Sequence, residues 1–255
     1  MSGLLDGKVA VITGAGSGVG RAMANLFAEN GAAILVADVV AERVDEVVKE
    51  ARGKTGAQIE GMVIDLSLKE SADKMIDYAA KTFGKVDVLC NNAGIMDGVR
   101  PVADTPDDVW EKVLDINLDA PFRASRRAIP LMLKGGGGVI VNTASIAGLT
   151  GGAAGASYTV SKHGLIGLTR SVAAHYGTKG IRCNAMVLGA VKTNIGVGGG
   201  NPDPKGMEVL QKAMATLPRL GEPREIAELA LFLASDKSSL LNGSCVVVDG
   251  GWTVI

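Results

Sequence analysis

Tyr158 and Lys162 stand four residues apart in Ser157-Tyr158-Thr159-Val160-Ser161-Lys162-His163. On a helix that spacing puts both side chains on one face, a turn from each other. An ammonium beside a phenol favours the phenolate, so Lys162 is expected to draw the Tyr158 pKa from ~10 towards the working pH. A phenol so tuned can pass a proton to or from a substrate oxygen. Ser145 follows Val139-Ile140-Val141-Asn142-Thr143-Ala144, an apolar run that reads as a buried strand, and its hydroxyl could hold the same oxygen. A lone Tyr-x-x-x-Lys is equally what a solvated helix face looks like, so its meaning depends on the elements that position it.

Those elements alternate from one end of the chain to the other. Short β-branched runs at Val9–Thr13, Ile34–Asp38, Ile59–Asp65 and Val86–Cys90 are each followed by a segment of helical period, at Gly20–Asn30, Ala41–Arg52 and Lys69–Phe83 after the first three. A long helix is expected after the fourth, with Thr105 as N-cap and Pro106 and two acids in its first turn, running to Leu133 with an interruption at Pro121. Four glycines at 135–138 precede the strand that ends near Ser145, and Ser157–Tyr176 is the helix carrying Tyr158. Ile181–Val187 and Cys245–Asp249 read as the sixth and seventh strands. Between them lie a Gly-, Asn- and Pro-rich mobile loop from Leu188 to Met207 and two helices, Lys205–Thr216 and Glu222–Ala234. Strands without polar alternation are buried on both faces, so the pattern predicts a single-domain α/β fold of doubly wound, Rossmann type, with a seven-stranded parallel sheet flanked by helices. Residues 1–135 form mainly a cofactor-binding half and 136–255 a catalytic and substrate-binding half.

Thr13-Gly14-Ala15-Gly16-Ser17-Gly18-Val19-Gly20 joins the first strand to its helix. Gly14, Gly18 and Gly20 allow a sharp turn and let a pyrophosphate reach the N–H groups at the helix start. Asp38, ending the second strand, can accept both ribose hydroxyls and would repel a 2′-phosphate, and no Arg or Lys stands at Ser17 or at Val39-Val40. These features point to NAD as cofactor. Asn91-Asn92-Ala93-Gly94 ends the fourth strand, where open α/β sheets bind ligands, and Asp65-Leu66 is placed beside the adenine.

Bulk composition excludes other classes. The chain has 255 residues, 47% hydrophobic and 21% charged, with a net charge of −1. No field draws it to nucleic acid or a membrane surface, and no apolar run reaches a membrane span. Cys90, Cys183 and Cys245 are scattered and only two histidines are present, so no metal site is expected and a cytoplasmic location is.

Taken together the motifs resemble the short-chain dehydrogenase/reductase family, from Lys8 to Gly251. The glycine turn, Asn91-Asn92-Ala93-Gly94, Asn117, Ser145, Tyr158-x-x-x-Lys162 and the closing Val248-Asp249-Gly250-Gly251 occur in the family's order and spacing. The resemblance implies that Tyr158 is the general acid/base and that Ser145 polarises the substrate oxygen. It implies that Lys162 binds the nicotinamide ribose and lowers the Tyr158 pKa together with the positive nicotinamide ring. Asn117 would hold, through its backbone carbonyl, a water relaying protons from Lys162. Pro121 supplies a physical reason, since it has no N–H to give the Asn117 carbonyl four residues earlier. Cofactor contacts are implied at Gly14, Ser17, Gly18, Val19, Gly20, Asp38, Asp65, Leu66, Asn92, Ala93, Gly94, Tyr158, Lys162, Gly189, Val191 and Thr193. The family usually has Pro-Gly where this chain has Leu188-Gly189, which leaves that pocket wall open to question.

The activity so implied is reversible hydride transfer between a secondary alcohol and NAD. Ser145, Tyr158, Met96, Ala147, Ala153 and Leu188 are expected to face the substrate, with Ile95, Ile146, Gly152 and the loop 191–207 near it. Small apolar residues suit a neutral ligand with a bulky apolar part, and Gly198-Gly199-Gly200 would be a lid hinge. The alternatives are a 3-oxoacyl-(acyl carrier protein) reductase, which would use NADPH, and a catalytically idle NAD-binding sensor. A homotetramer, or a dimer, is implied through the helices 105–133 and 157–176 and the C-terminal strand. The tail Trp252-Thr253-Val254-Ile255 suits burial against a neighbour or against its own chain.

Overall fold

In the computed structural model, which describes residues 3–195 and 201–254, seven parallel strands pair in the order β3-β2-β1-β4-β5-β6-β7. They are β1 (Val9–Thr13), β2 (Ala33–Asp38), β3 (Ile59–Val63), β4 (Val88–Asn91), β5 (Gly138–Ser145), β6 (Ile181–Leu188) and β7 (Cys245–Val248). Successive side chains of β2 enter opposite cores: Ile34 and Val36 meet one helical layer, Leu35 and Ala37 the other. The first layer is α1 (Gly18–Glu29), α2 (Ala41–Thr55) and α8 (Pro223–Ala234), which bury Met23, Phe27, Val47 and Ile226. The second is α3 (Ser71–Phe83), α5 (Ala120–Lys134) and α6 (Ala156–Tyr176), which bury Met75, Ala124, Met132 and Val172. The strand order reverses between β1 and β4, which opens the ligand crevice at their carboxyl ends.

Two polar devices lock that crevice. The Thr13 hydroxyl donates to the Cys90 carbonyl (3.3 Å) and accepts from the N–H groups of Asn92 (2.9 Å) and Ala93 (3.0 Å). Deeper, the Asn91 amide donates to the Asn142 carbonyl oxygen (2.8 Å), and the Asn142 amide donates to the Thr169 hydroxyl (2.8 Å). All three side chains are buried, so the line of bonds joins β4, β5 and α6 through the interior.

The helix expected over 105–133 is divided differently from the sequence reading. Thr105 is not its N-cap: its hydroxyl turns back to the Pro101 carbonyl (2.8 Å), and Pro106 takes the flanking position of α4 (Asp107–Leu114). The interruption falls at Asp115–Asp119, a π-helical turn closed by the Ala120 N–H on the Asp115 carbonyl. Pro121 lies inside the first turn of α5, where a missing N–H costs least. Likewise β3 stops at Val63, and Asp65 leaves the sheet in a turn held by Ser67.

After β6 the chain makes a single bridge, Val191 to Gly221, and continues to α7 (Pro204–Met214). The glycines 198–200, expected as a hinge, lie outside the described residues. Trp252 folds back on its own chain, its indole N–H donating to the Ala213 carbonyl at the end of α7 (2.8 Å), while Val254 is exposed. Cys90 and Cys183 are buried, and all three cysteines are free thiols. Among the described residues no helix is long and apolar enough to cross a membrane, and no three His, Cys, Asp or Glu gather as a metal site.

Candidate active site

The glycine turn is tight enough to explain its composition. Gly14 and Gly18 adopt left-handed backbone (φ 61° and 51°). A Cβ on Gly20 would stand 2.1 Å from the Gly14 carbonyl oxygen and 2.7 Å from the Asn92 amide nitrogen. Ser17 flanks α1 without capping it, and the first turn of α1 carries no acid. Its N–H groups and positive helix end are therefore free for an anion, which suits the pyrophosphate of a dinucleotide. Thr193 closes this turn from the far side, its methyl 3.0 Å from where a Gly18 Cβ would lie. The Val19 side chain belongs to the core, so only its backbone faces the cradle. Gly189 takes the Val248 carbonyl and packs against Asp249, where a side chain would collide. Asn92 spends its amide on the Thr13 and Gly14 carbonyls (3.0 and 3.3 Å), bracing the turn rather than reaching towards a ribose.

Asp38 sits against the same turn. Its carboxylate accepts from the N–H groups of Gly16 (2.9 Å) and Val40 (3.1 Å), which fixes it while leaving further lone pairs. Leu66 is buried under α3, and Asp65 is exposed beside it. The sequence reading missed Arg43 here. Its Cβ lies 2.8 Å from where a Gly16 Cβ would stand, on the same side as the Asp38 carboxyl. Arg43 is exposed and has no ion-pair partner among the described residues. Its position, one turn into the helix after Asp38, was the available signal.

Tyr158, Lys162, Ser145 and Asn117 meet at the carboxyl end of β5. Ser145 is the last residue of that strand, while Tyr158 and Lys162 face inward from the first two turns of α6, buried like Asn117. The π turn points Asn117 at the loop after β4: its Oδ1 accepts from the Ile95 N–H (2.9 Å) and its Nδ2 donates to the Ile95 carbonyl (3.0 Å) and to Ser161 (3.2 Å). Gly94 thus comes close to both Asn117 and Lys162. The Lys162 ammonium donates to the Thr143 carbonyl (2.8 Å) and lies 5.4 Å from the centroid of the Tyr158 ring.

Electrostatics here run against the sequence expectation. Burial pushes the Tyr158 phenol up to about 12; hydrogen bonding with Ser145 opposes the rise and the Asp97 charge adds to it. Burial also pushes Lys162 down to about 8, so both groups are shifted towards their neutral forms. Spacing identified the neighbour but not the desolvation of both groups. The drop in Lys162 from 10.5 to about 8 makes its charged form roughly 3 kcal/mol less favourable in the folded state. Replacing it by methionine leaves the Thr143 carbonyl unpaired, an offset of about 1–2 kcal/mol. Lys162→Met should therefore unfold at higher denaturant at pH 7, by about 1–2 kcal/mol, while losing activity. The native lysine releases its proton near pH 8 and the unfolded one near 10.5. Parent stability consequently rises across that window and the variant's advantage shrinks, which urea titrations at pH 7 and 10 will read.

Around the phenol, Met96, Ala147 and Ala153 pack with Ile95, Val109 and Val113 in one apolar group. Gly152 is open towards Val209 of α7. Leu188 corrects the expectation: its side chain joins the core beneath α1 and α8, and only its backbone, paired with Ser145, borders the site. Ile146 likewise turns to a different cluster, with Trp252. Alternation along β6 sends Leu188 to the face opposite Val187, whereas an apolar residue after a strand carries no sign of its face.

A buried phenol and ammonium with a half-buried hydroxyl, at the sheet edge that carries the glycine turn, suit an oxidoreductase site. Comparison with known proteins agrees. The family model described as enoyl-(acyl carrier protein) reductase matches residues 14–253. The chain is 42% identical to a 3beta-hydroxysteroid dehydrogenase 2 of Eggerthella lenta, covering 98% of this chain and 96% of that one. It is 38% identical to a cyclohexanol dehydrogenase of an Acinetobacter species, over 98% of each chain or more. Among solved structures, one from Beutenbergia cavernae, described as an NAD(P)-dependent gluconate 5-dehydrogenase with NADP bound at low occupancy, superposes with a TM-score of 0.87, at 37% identity over 98% of both chains. The chain belongs to the short-chain dehydrogenase/reductase family and is a nicotinamide-dependent oxidoreductase.

Proposed function

We propose that the protein interconverts a secondary alcohol and its ketone with NAD as coenzyme. The observation that carries this reading is the convergence of Tyr158, Ser145 and Lys162 at the end of β5, on the same carboxyl edge of the sheet as the glycine turn and Asp38. The bound dinucleotide supplies the hydride acceptor, or its reduced form the donor. The chain supplies the rest. Ser145 holds the substrate oxygen, Tyr158 takes its proton as the alcohol is oxidised and returns it on reduction, and Lys162 faces the ribose side of the pocket. Asn117 fixes the backbone of Ile95 and so the floor on which the substrate rests. A cyclic alcohol suits the apolar wall of Met96, Ala147 and Ala153.

Asp38 supports NAD over NADP, because a carboxylate fixed at the ribose end repels a 2′-phosphate. The repulsion at a partly exposed site is about 1–3 kcal/mol, so kcat/KM with NAD⁺ should exceed that with NADP⁺ by about 10- to 100-fold on cyclic secondary alcohols. Asp38→Ser should bring the ratio near unity, because the unpaired Arg43 can then meet the phosphate. A parent enzyme preferring NADP⁺ would overturn the coenzyme assignment. Reduction of 3-oxoacyl thioesters is the second reading, favoured by 35% identity to a 3-oxoacyl-(acyl carrier protein) reductase of Thermotoga maritima; it needs NADPH, which Asp38 opposes. An idle sensor would need no buried acid/base. Exposed Phe122 on α5, Val160 on α6, Phe232 on α8 and Val247 on the edge strand β7 support assembly as a homotetramer.

A further inference from the structure

Asp97 is a carboxylate with no ion-pair partner among the described residues and 1% of its surface exposed, in the loop between β4 and α4. Two of its three hydrogen bonds tie that loop to the start of α6. One oxygen accepts from the backbone N–H of Tyr158 (2.9 Å) and the hydroxyl of Ser157 (3.2 Å), in the first turn of α6. The other accepts from the Val99 N–H (3.0 Å). α6 has no side-chain cap of its own, since Gly155 occupies its N-cap. A Cβ on Gly155 would lie 2.5 Å from the Asp97 carboxylate, so the glycine makes room for the acid. The chain next bends through Gly98 and Val99, both left-handed (φ 68° and 58°), a costly conformation for a β-branched residue. Arg100 then returns to α6, its carbonyl accepting from the Ala156 N–H (2.9 Å), and the Gly98 carbonyl accepts from the Asp203 N–H at the start of α7 (2.8 Å).

We propose that Asp97 is a positioning residue for the reaction: it docks the first turn of α6 onto the substrate-side loop and thereby sets where the Tyr158 phenol stands. It touches neither substrate nor coenzyme. A negative charge at a helix start is favourable in any case, but here the capped N–H belongs to the residue that carries the phenol. The inference rests on Tyr158 being the acid/base.

The charged groups round the phenol bear on its test. Lys162 extends from α6, Arg100 is the single cation of the loop 92–106, and from α7 Lys205 pairs with Asp104 (2.9 Å). Asp97 forms no ion pair with any of them, so its charge acts on the phenol without neutralisation, in the direction of a higher Tyr158 pKa.

Asp97→Asn keeps the shape and one good acceptor but removes the charge. We expect kcat to fall about tenfold with KM for the alcohol within about twofold, since misplacement of the acid/base affects the transition state. The acid limb of the kcat–pH profile should move to lower pH by about half a unit. NADH affinity, read by fluorescence titration, should stay unchanged. Asp97→Ala should lose about 100-fold in kcat; where it fails to fold, Asp97→Asn decides alone. A purely structural cap would lower the melting temperature and leave kcat and the pH profile of the folded enzyme at parental values, and that result overturns the proposal. Tyr158→Phe run in parallel separates the two assignments. If it keeps its rate the acid/base reading fails, whereas an inactive Tyr158→Phe beside a parental Asp97→Asn sinks the positioning role only.

Discussion

Tyr158→Phe should lose about 10²–10⁴-fold in kcat, the range expected when a positioned acid/base is removed. Nothing else about the site should change much. The ring sits against Val113 and Ala147, contacts that phenylalanine keeps in full, and the hydroxyl has Ser145 as its hydrogen-bonding neighbour. Lys162 is held by the Thr143 carbonyl rather than by the phenol, so it stays in place. Fluorescence titration with NADH should therefore give a Kd within about twofold of the parent. Steady-state rates on a cyclic secondary alcohol supply the other half of the test. A variant that keeps most of its rate would place the proton transfer elsewhere.

Gly20→Ala should abolish coenzyme binding, weakening NADH by at least about 100-fold. A methyl 2.1 Å from the Gly14 oxygen and 2.8 Å from the Ala15 Cα meets backbone, which cannot rotate away. To relieve the overlap α1 must retreat from the end of β1, and the N–H groups that receive the pyrophosphate retreat with it. The same displacement disturbs the Asn92 amide that braces the turn. Overpacking of this kind costs about 1–3 kcal/mol, so thermal melting should fall by several degrees while the fold survives. Melts with and without saturating NADH will show it: the parent gains stability from the ligand and the variant does not. A full NADH-induced shift in Gly20→Ala would mean that the glycine turn is not where the dinucleotide sits.

How far the sequence carried these expectations differs from element to element. The strands were legible because each is a short apolar run between helices, and their parallel pairing followed from the alternation of strand and helix. The glycine turn and Tyr158-Lys162 were legible because their chemistry depends on spacing along one element. What failed depended on the third dimension. A π turn at 115–119 has no residue signature, and Pro121 drew the interruption to itself. Thr105 had the right type for a cap but its hydroxyl found nearer carbonyls. Lys162 could be placed beside Tyr158, yet the burial that raises the phenol's pKa and lowers the ammonium's is a property of the packed core. Asp97 bonds across segments to the first turn of α6, where no period along the chain reveals it.

The line of bonds Asn91–Asn142–Thr169 has a mechanical consequence. The boundary near residue 135 between cofactor and catalytic halves falls between two strands that these side chains, together with the β4–β5 ladder, fasten to each other and to α6. Severing the chain there would strip the Asn91 amide of its buried acceptor and bare two sheet edges. The two halves expected from the sequence are therefore not separable bodies: β4, β5 and α6 form one crossbraced frame.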